Sequence, residues 1–373
     1  MKVLDYVLAA MIYFVFLIVI GLVLLVVGAD LLVKGAARLA LSFGVSSLVV
    51  GLTVVAFGTS APEMSVSVMS AYNGQSEMAV GNIVGSNIFN VLFILGLAAM
   101  IAPLVISKQL VRLDVPVMIG ASGLLYLICR DGVISRVDGM ILFACGVAYT
   151  CWLIQMSRKA SNQLPPRESE EKPGKKKGGN WMNLLLIAVG LVLLVLGSKY
   201  LVQGAIAIAK QFGISEAIIG LTIVAAGTSL PEVATSLMAT IKGERDIAVG
   251  NVVGSNTFNI FSVAGLSACV APSGLTVAQP ILFFDIPFMV VVAVVCLPLF
   301  VTGLRLERWN GALFLFYYIA YTVYLILAAQ QHDGLSTFST MMFRFVAPLT
   351  AVMILVPLLL EWEKYRGRNG TES

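Results

Sequence analysis

A stretch of 40 residues occurs twice in this chain. Residues 51–90 recur as 220–259, at a constant offset of 169. GLTVVAFGTSAPE becomes GLTIVAAGTSLPE, and AVGNIVGSNIFN becomes AVGNVVGSNTFN. Of the 40 aligned positions 23 are identical, and the agreement falls on Gly, Thr, Ser, Pro, Glu and Asn. Shared hydrophobicity would instead scatter matches over Leu, Ile and Val. Both copies sit in apolar sequence, where polar and ionisable residues are expensive and mark function. The duplication is therefore of a site, and the fold must accommodate two equivalent polar segments inside apolar surroundings.

Only 12% of the 373 residues are charged and 59% are hydrophobic, with mean hydropathy +0.95. Soluble domains carry about 25% charged residues, so this is an all-α polytopic membrane protein. A crossing helix needs about 20 apolar residues. Eleven candidate spans are present, near residues 7–32, 46–72, 78–101, 115–129, 139–156, 184–209, 216–241, 247–270, 284–301, 311–329 and 343–360. The first apolar run is too long for a signal peptide and has a match in the second half, so it is read as span 1. The net charge of +4 does not imply nucleic acid, since the basic residues are distributed by loop. Cys129, Cys145, Cys151, Cys269 and Cys296 fall in apolar runs without CxxC spacing and read as packing. His332 stands beside Asp333 and Gly334 and reads as a solvated surface residue.

The duplication extends beyond the motif. Gly21 and Gly28 of span 1 match Gly190 and Gly197 of span 6, and LDVPVM at 113–118 matches FDIPFM at 284–289 with two residues inserted. Residues 1–157 form a first five-helix repeat and 181–330 a second. The Pro-, Gly-, Lys- and Glu-rich segment 158–180 is a linker, and 331–373 adds a loop, an eleventh span and a tail. Five is odd, so the second repeat enters the membrane from the opposite side, giving inverted repeats in a ten-helix core. Placing the linker in the cytoplasm puts 18 of the 24 basic residues inside. The positive-inside rule then sets the N-terminus outside and the C-terminus cytoplasmic, in a bacterial inner membrane.

Glu63 and Glu232 stand deep in spans 2 and 7, where a carboxylate costs at least about 2.5–3.5 kcal/mol. No Lys or Arg lies at comparable depth in spans 2, 3, 7 or 8, which leaves a mobile cation or a proton as the partner. Pro62 removes the donor to the Gly58 carbonyl, and Pro231 does the same for Gly227, so both spans are expected to break and free carbonyls around 56–58 and 225–227. Thr59 and Glu63 share a helix face, as do Thr228 and Glu232. Asn82, Ser86 and Asn90 recur every four residues, as do Asn251, Ser255 and Asn259. Asn82 and Asn251 read equally well as caps or as ligands, and Ser67, Ser70 and Ser236 read singly as structural. Gly81-x-x-x-Gly85 and Gly250-x-x-x-Gly254 offer close-packing faces. Asp114, Pro116, Asp285 and Pro287 mark the starts of spans 4 and 9. The inventory is carboxylates, hydroxyls, amide oxygens and carbonyls without thiolate or imidazole, which suits hard cations such as Ca²⁺, Na⁺ or Mg²⁺.

With GTSAPE and GNIVGSNIFN in one copy and GTSLPE and GNVVGSNTFN in the other, the chain resembles the sodium/calcium exchanger family of cation/calcium antiporters. The resemblance implies ion sites formed by spans 2, 3, 7 and 8, and alternating access by movement of spans 1 and 6. Carried over by motif position, the ligands would be Glu63 and Glu232 with the side chains of Thr59, Ser60, Ser86, Asn90, Thr228, Ser229 and Ser255. Backbone carbonyls of Ala56 and Ala225 would join them. Asn259 stands where well-known members have aspartate, so this site carries one negative charge fewer, with Asn259 still counted in it. The expected function is exchange of Ca²⁺ for Na⁺, with Ca²⁺/H⁺ or K⁺-dependent exchange as the alternative and a cation channel as the rival class. No cofactor, nucleic acid or obligate protein partner is expected beyond the ions and the lipid bilayer. No Ser/Lys, paired-Asp or HExxH arrangement in the spans suggests an enzyme.

Overall fold

The computed structural model describes residues 2–163, 180–212, 225–356 and 359. Most of the linker, the first part of span 7 and the C-terminal tail lie outside the described residues. The described chain is helical almost throughout. Helix α1 is Lys2–Phe43. Span 2 is broken into α2 (Ser47–Thr59) and α3 (Ala61–Tyr72), bent by 47°. Then come α4 (Ser76–Ile101), α5 (Leu110–Asp131) and α6 (Arg136–Gln163). The second repeat supplies α7 (Asn180–Gln211), α8 (Leu230–Ile241), α9 (Arg245–Val270), α10 (Ile281–Leu304) and α11 (Arg308–Ala329). The additional helix α12 is Gly334–Val356. Several helices outrun their apolar runs. Span 11 begins at Gly334 rather than near residue 343, because hydropathy locates the apolar centre and misses the polar first turns, Ser336 to Thr337 among them.

Helices α4 and α9 form the centre: 78% and 83% of their most apolar windows are buried, against 17% for the outer helix α1 and 6% for α12. α12 touches the bundle through the Tyr317 hydroxyl, which donates to Thr350 Oγ1 at 2.8 Å, and borders an apolar cleft of about 480 Å³ against α10 and α11.

Four two-residue strands show how the halves are related. β1 (Leu104–Val105) precedes α5, and β2 (Val133–Ile134) follows it. β3 (Leu275–Thr276) and β4 (Arg305–Leu306) flank α10 in the same way. β1 pairs antiparallel with β4, and β2 with β3. In sequence β1 is the counterpart of β3, and β2 of β4, so each strand pairs with the other's counterpart. Since α5 separates β1 from β2 by the length of a span, β3 lies at the end of the bundle opposite β1. Equivalent loops therefore sit on opposite faces, which is the inverted arrangement. Side-chain contacts obey the same exchange. The Arg136 guanidinium donates to the carbonyls of Ala271 and Pro272, and its counterpart Arg308 donates to that of Ile101.

Helices α1 and α7 pack against each other along a ladder of glycines. A Cβ on Gly28 would lie 2.8 Å from the Gly190 carbonyl oxygen, and one on Gly190 would lie 2.8 Å from that of Gly28. Gly21 and Gly197 repeat the relation. Backbones this close tolerate no side chain. Gly28→Val is expected to destabilise the protein by about 1–3 kcal/mol or more, seen as a lowered Tm in detergent. Gly120→Ala, where nothing lies within 4 Å, is the control. Equal melting of the two variants would refute the ladder.

One contact breaks the symmetry. Asp30 of α1 pairs with Lys34 at 2.6 Å and also with Lys242, just past the end of α8. The counterparts of Asp30 and Lys242 are Lys199 and Asn73, which cannot form this pair.

Candidate cation site

Each glutamate is placed by the break that precedes it. Ser60 (φ −82°, ψ 8°) interrupts the helix, and Pro62 and Glu63 fall in the first turn of α3. Ser229 (φ −88°, ψ 7°), Pro231 and Glu232 repeat this at α8. The first turn of a helix has unpaired N–H groups and the positive end of the helix dipole, so a carboxylate is tolerated there. Both glutamates are essentially inaccessible, at 1% and 0% exposure.

The two repeats lock into each other at this point. Ser229 Oγ donates to Glu63 Oε1 at 2.7 Å, and Ser60 Oγ donates to Glu232 Oε1 at 2.9 Å. Ser229 Oγ also lies 3.2 Å from Ser86 Oγ. Thr59 Oγ1 donates to Asn251 Oδ1 at 3.1 Å, and Thr228 Oγ1 to Asn82 Oδ1 at 3.3 Å. Asn82 and Asn251 in turn donate to Ser67 Oγ and Ser236 Oγ, each at 2.9 Å. Two of the three serines read as structural, Ser67 and Ser236, are thus the supports of the two asparagines, and these asparagines belong to the cluster rather than to helix caps.

Not every expected carbonyl is free. That of Ala56 accepts the Ser60 N–H at 3.0 Å. Pro62 removes the donor four residues after Gly58, and the donor to Ala56 is Ser60, which keeps its N–H. In the second repeat the Gly227 carbonyl accepts Ser198 Oγ of α7 at 2.5 Å. Ala225 opens a short helical turn, Ala225–Gly227, ahead of α8.

The rest of the cluster comes from α4 and α9. Asn90 and Asn259 each open a π-helical stretch, Asn90–Leu95 and Asn259–Ala264. Such stretches are frequent at functional sites because the wider turn re-aims the side chains at its ends. Asn90 Nδ2 donates to Asn256 Oδ1 at 3.0 Å, and Asn259 Nδ2 donates to Asn87 Oδ1 at 3.1 Å. Asn87 and Asn256 escaped the sequence reading, although both stand in the duplicated GSN triplet. Gly250 and Gly254 pack against Leu48, Leu52 and Ala56 of α2. The residues that would face Gly81 and Gly85 equivalently lie at 217–225, largely outside the described residues.

What remains decides the chemistry. Within the cluster, Glu63 Oε2, Glu232 Oε2, Asn90 Oδ1, Asn259 Oδ1 and Ser255 Oγ are buried and receive no hydrogen bond from the described protein, as is also true of Thr235 Oγ1 and Ser267 Oγ elsewhere. Buried oxygens are nearly always satisfied. Four of these five form symmetric pairs, each with its other polar atom already engaged. Oxygen acceptors without donors are what a hard cation binds. The described residues contain no cluster of three or more His, Cys, Asp or Glu, so the charge available is that of two carboxylates.

Asp114 and Asp285, at the starts of spans 4 and 9, have their hydrogen-bond partners outside this network. They accept the hydroxyls of Tyr149 and Tyr321, each at 2.8 Å. His332 is exposed and its Nδ1 accepts the Gly334 N–H. All five cysteines are free thiols.

The family profile described as "Sodium/calcium exchanger protein" matches this chain twice, over residues 13–155 and 182–327. The chain belongs to the sodium/calcium exchanger family. It is 34% identical to the putative antiporter CaxA of Alkalimonas amylolytica, covering 84% of this chain and 98% of that protein. Similarity to the sodium/calcium exchanger MaX1 of Methanosarcina acetivorans is 33% identity over 83% and 97% of the two chains. The inner membrane protein YrbG of Escherichia coli is 37% identical over 69% and 79%. Among solved structures, the sodium-calcium exchanger NCX_Mj soaked with 10 mM Na⁺ superposes with a TM-score of 0.72 at 31% identity, covering 86% of this chain and 99% of that one. As a member of the exchanger family the chain is an integral membrane antiporter, and its relatives are transporters rather than enzymes.

Proposed function

We propose that this exchanger-family protein exports Ca²⁺ from the cytoplasm in exchange for Na⁺, from an inner membrane, with both ions using one central site. The observation that carries the reading is the pair of carboxylates, each with one oxygen held by the opposite repeat's serine and the other without a donor. The proposed ligands are Glu63, Glu232, Asn90, Asn259 and Ser255, with Thr59, Ser60, Thr228, Ser229 and Ser86 holding the cluster. Ca²⁺ takes 6–8 oxygens, so water would complete the shell. Charge sets the exchange rule. Two carboxylates offset one Ca²⁺ or two monovalent cations, and a site with unbalanced charge is too costly to carry through an occluded state. Residues 1–157 and 181–330 act as the two repeats, with α1 and α7, interlocked by their glycines, moving as one body against the rest.

The test is ⁴⁵Ca²⁺ uptake into proteoliposomes under separately imposed Na⁺, K⁺ and H⁺ gradients. An outward Na⁺ gradient alone should drive uptake. Drive by H⁺ alone would reassign the counter-ion, and passage without any counter-gradient would make the protein a channel.

The proposed orientation has its own check. With the linker and tail cytoplasmic, single cysteines at Ser169→Cys and Thr371→Cys, in a cysteine-free background, should resist a membrane-impermeant thiol reagent in intact cells. Labelling of either would reverse the topology.

A further inference from the structure

Four asparagines lie where α4 and α9 cross, and they divide into two kinds. Asn90 and Asn259 each spend the amide nitrogen on a carboxamide oxygen of the opposite repeat, leaving Oδ1 without a donor. Asn87 and Asn256 are the acceptors, and they are themselves locked. Asn87 Nδ2 donates to the Asn256 backbone carbonyl at 3.3 Å and lies 3.6 Å from Met289 Sδ. Asn256 Nδ2 donates to the Asn87 backbone carbonyl at 3.1 Å. All four side chains are buried. An amide flips freely unless its partners forbid it. Here, turning Asn87 over would set its oxygen against the Asn256 carbonyl, and turning Asn259 would set oxygen against the Asn87 oxygen. The orientation of each ligand amide is thus dictated by a residue of the other repeat.

We propose that Asn87 and Asn256 are positioning residues that aim the Asn259 and Asn90 oxygens at the transported cation and require a hydrogen-bond donor from the side chains at those positions. The inference rests on the ion-site reading above. An ionised carboxylate at residue 259 would place an oxygen against the Asn87 oxygen with no proton between them. The preference for a donor at both positions is therefore built into the surrounding shell and reaches beyond the ligands themselves. It also couples the repeats, since a shift of α4 relative to α9 misdirects one ligand in each half.

Double-mutant cycles test this, with ⁴⁵Ca²⁺ uptake measured against Ca²⁺ concentration in proteoliposomes of the full chain. Asn87→Ala is combined with Asn259→Ala, Asn256→Ala with Asn90→Ala, and, as reference, Asn87→Ala with Asn90→Ala. Groups joined by a hydrogen bond give non-additive effects. The half-saturating Ca²⁺ of Asn87→Ala should rise about tenfold with the maximal rate within about threefold, and adding Asn259→Ala should raise it little further. The 256–90 cycle should behave alike, while the same-repeat pair 87–90 should be close to additive. Purely structural asparagines would instead lower the maximal rate and the Tm together and couple no more strongly across repeats than within one. That result overturns the inference, as does failure of both Asn87→Ala and Asn256→Ala to yield monodisperse protein. Wild-type vesicles that take up no ⁴⁵Ca²⁺ under any gradient would sink the ion reading itself. Wild-type uptake with uncoupled cross-repeat pairs would sink this inference alone.

Discussion

Glu63→Gln and Glu232→Gln should each reduce Ca²⁺ exchange on the order of 100-fold or more while leaving the protein folded. The geometry specifies why. In Glu63→Gln the new carboxamide keeps an oxygen to accept the Ser229 hydroxyl, which holds Glu63 Oε1 now. That forces its NH₂ group into the place of Oε2, the atom that receives no donor. A ligand is thereby replaced by a donor aimed at the cation, and the remaining carboxylate offsets only half of the charge on Ca²⁺. A buried, unbalanced unit charge costs several kcal/mol, and each 1.4 kcal/mol is about tenfold. Folding moves the other way, since the substitution removes a buried charge from the unliganded protein. The check is ⁴⁵Ca²⁺ exchange alongside detergent Tm. Near-normal flux at normal expression in either variant would remove the carboxylates from the site.

The second large effect is expected at Asn259. Asn259→Asp adds a third carboxylate to a site whose two existing charges balance one Ca²⁺. Unit charges about 5 Å apart at an effective dielectric near 20 interact by about 3 kcal/mol, on the order of 100-fold in an equilibrium. The new carboxylate also faces Asn87 Oδ1, which now accepts from the Asn259 amide. A proton or an additional monovalent cation must come with it. Competition of Na⁺ with Ca²⁺ should therefore strengthen or steepen, or the pH dependence of transport should change. Ca²⁺ uptake titrated with Na⁺ at several fixed pH values distinguishes the two. If neither dependence changes, the residue 259 side chain does not face the ions.

The duplicated Gly, Pro, Glu and Asn positions made much of this legible in the sequence. A proline one residue before a buried glutamate, twice, announces a broken span. An odd number of spans per repeat announces inversion, and the exchanged strand pairs show it in the fold. What stayed hidden depends on contacts between the copies. Nothing local to GTSAPE says that Ser60 serves Glu232 rather than its neighbour Glu63. Nothing in GSNIFN says that Asn87 and Asn90, three residues apart, play opposite parts, because their partners lie more than 160 residues away. Nor does the motif say which carbonyl loses its donor: Pro62 frees that of Gly58, while Ala56 keeps the Ser60 N–H and has one lone pair left over.

If α1 and α7 move against the rest as proposed, the Asp30–Lys242 pair biases the carrier toward one of its two forms. In a carrier of two inverted halves, the inward- and outward-open forms are built from interchangeable contacts, so an ideal duplicate would populate them equally. Here α1 is tied to the end of α8 on one face, and the matching place on the other face holds Lys199 and Asn73. The pair is partly exposed, with side-chain accessibilities of 24% for Lys242 and 31% for Asp30, so about 0–1 kcal/mol is its scale. At the upper end that tilts the empty carrier roughly fivefold toward the form in which the pair is closed. The tilt leaves the overall equilibrium of exchange untouched, because the ion gradients alone determine it. It sets which side of the membrane finds the site waiting, and hence the apparent affinity each side experiences.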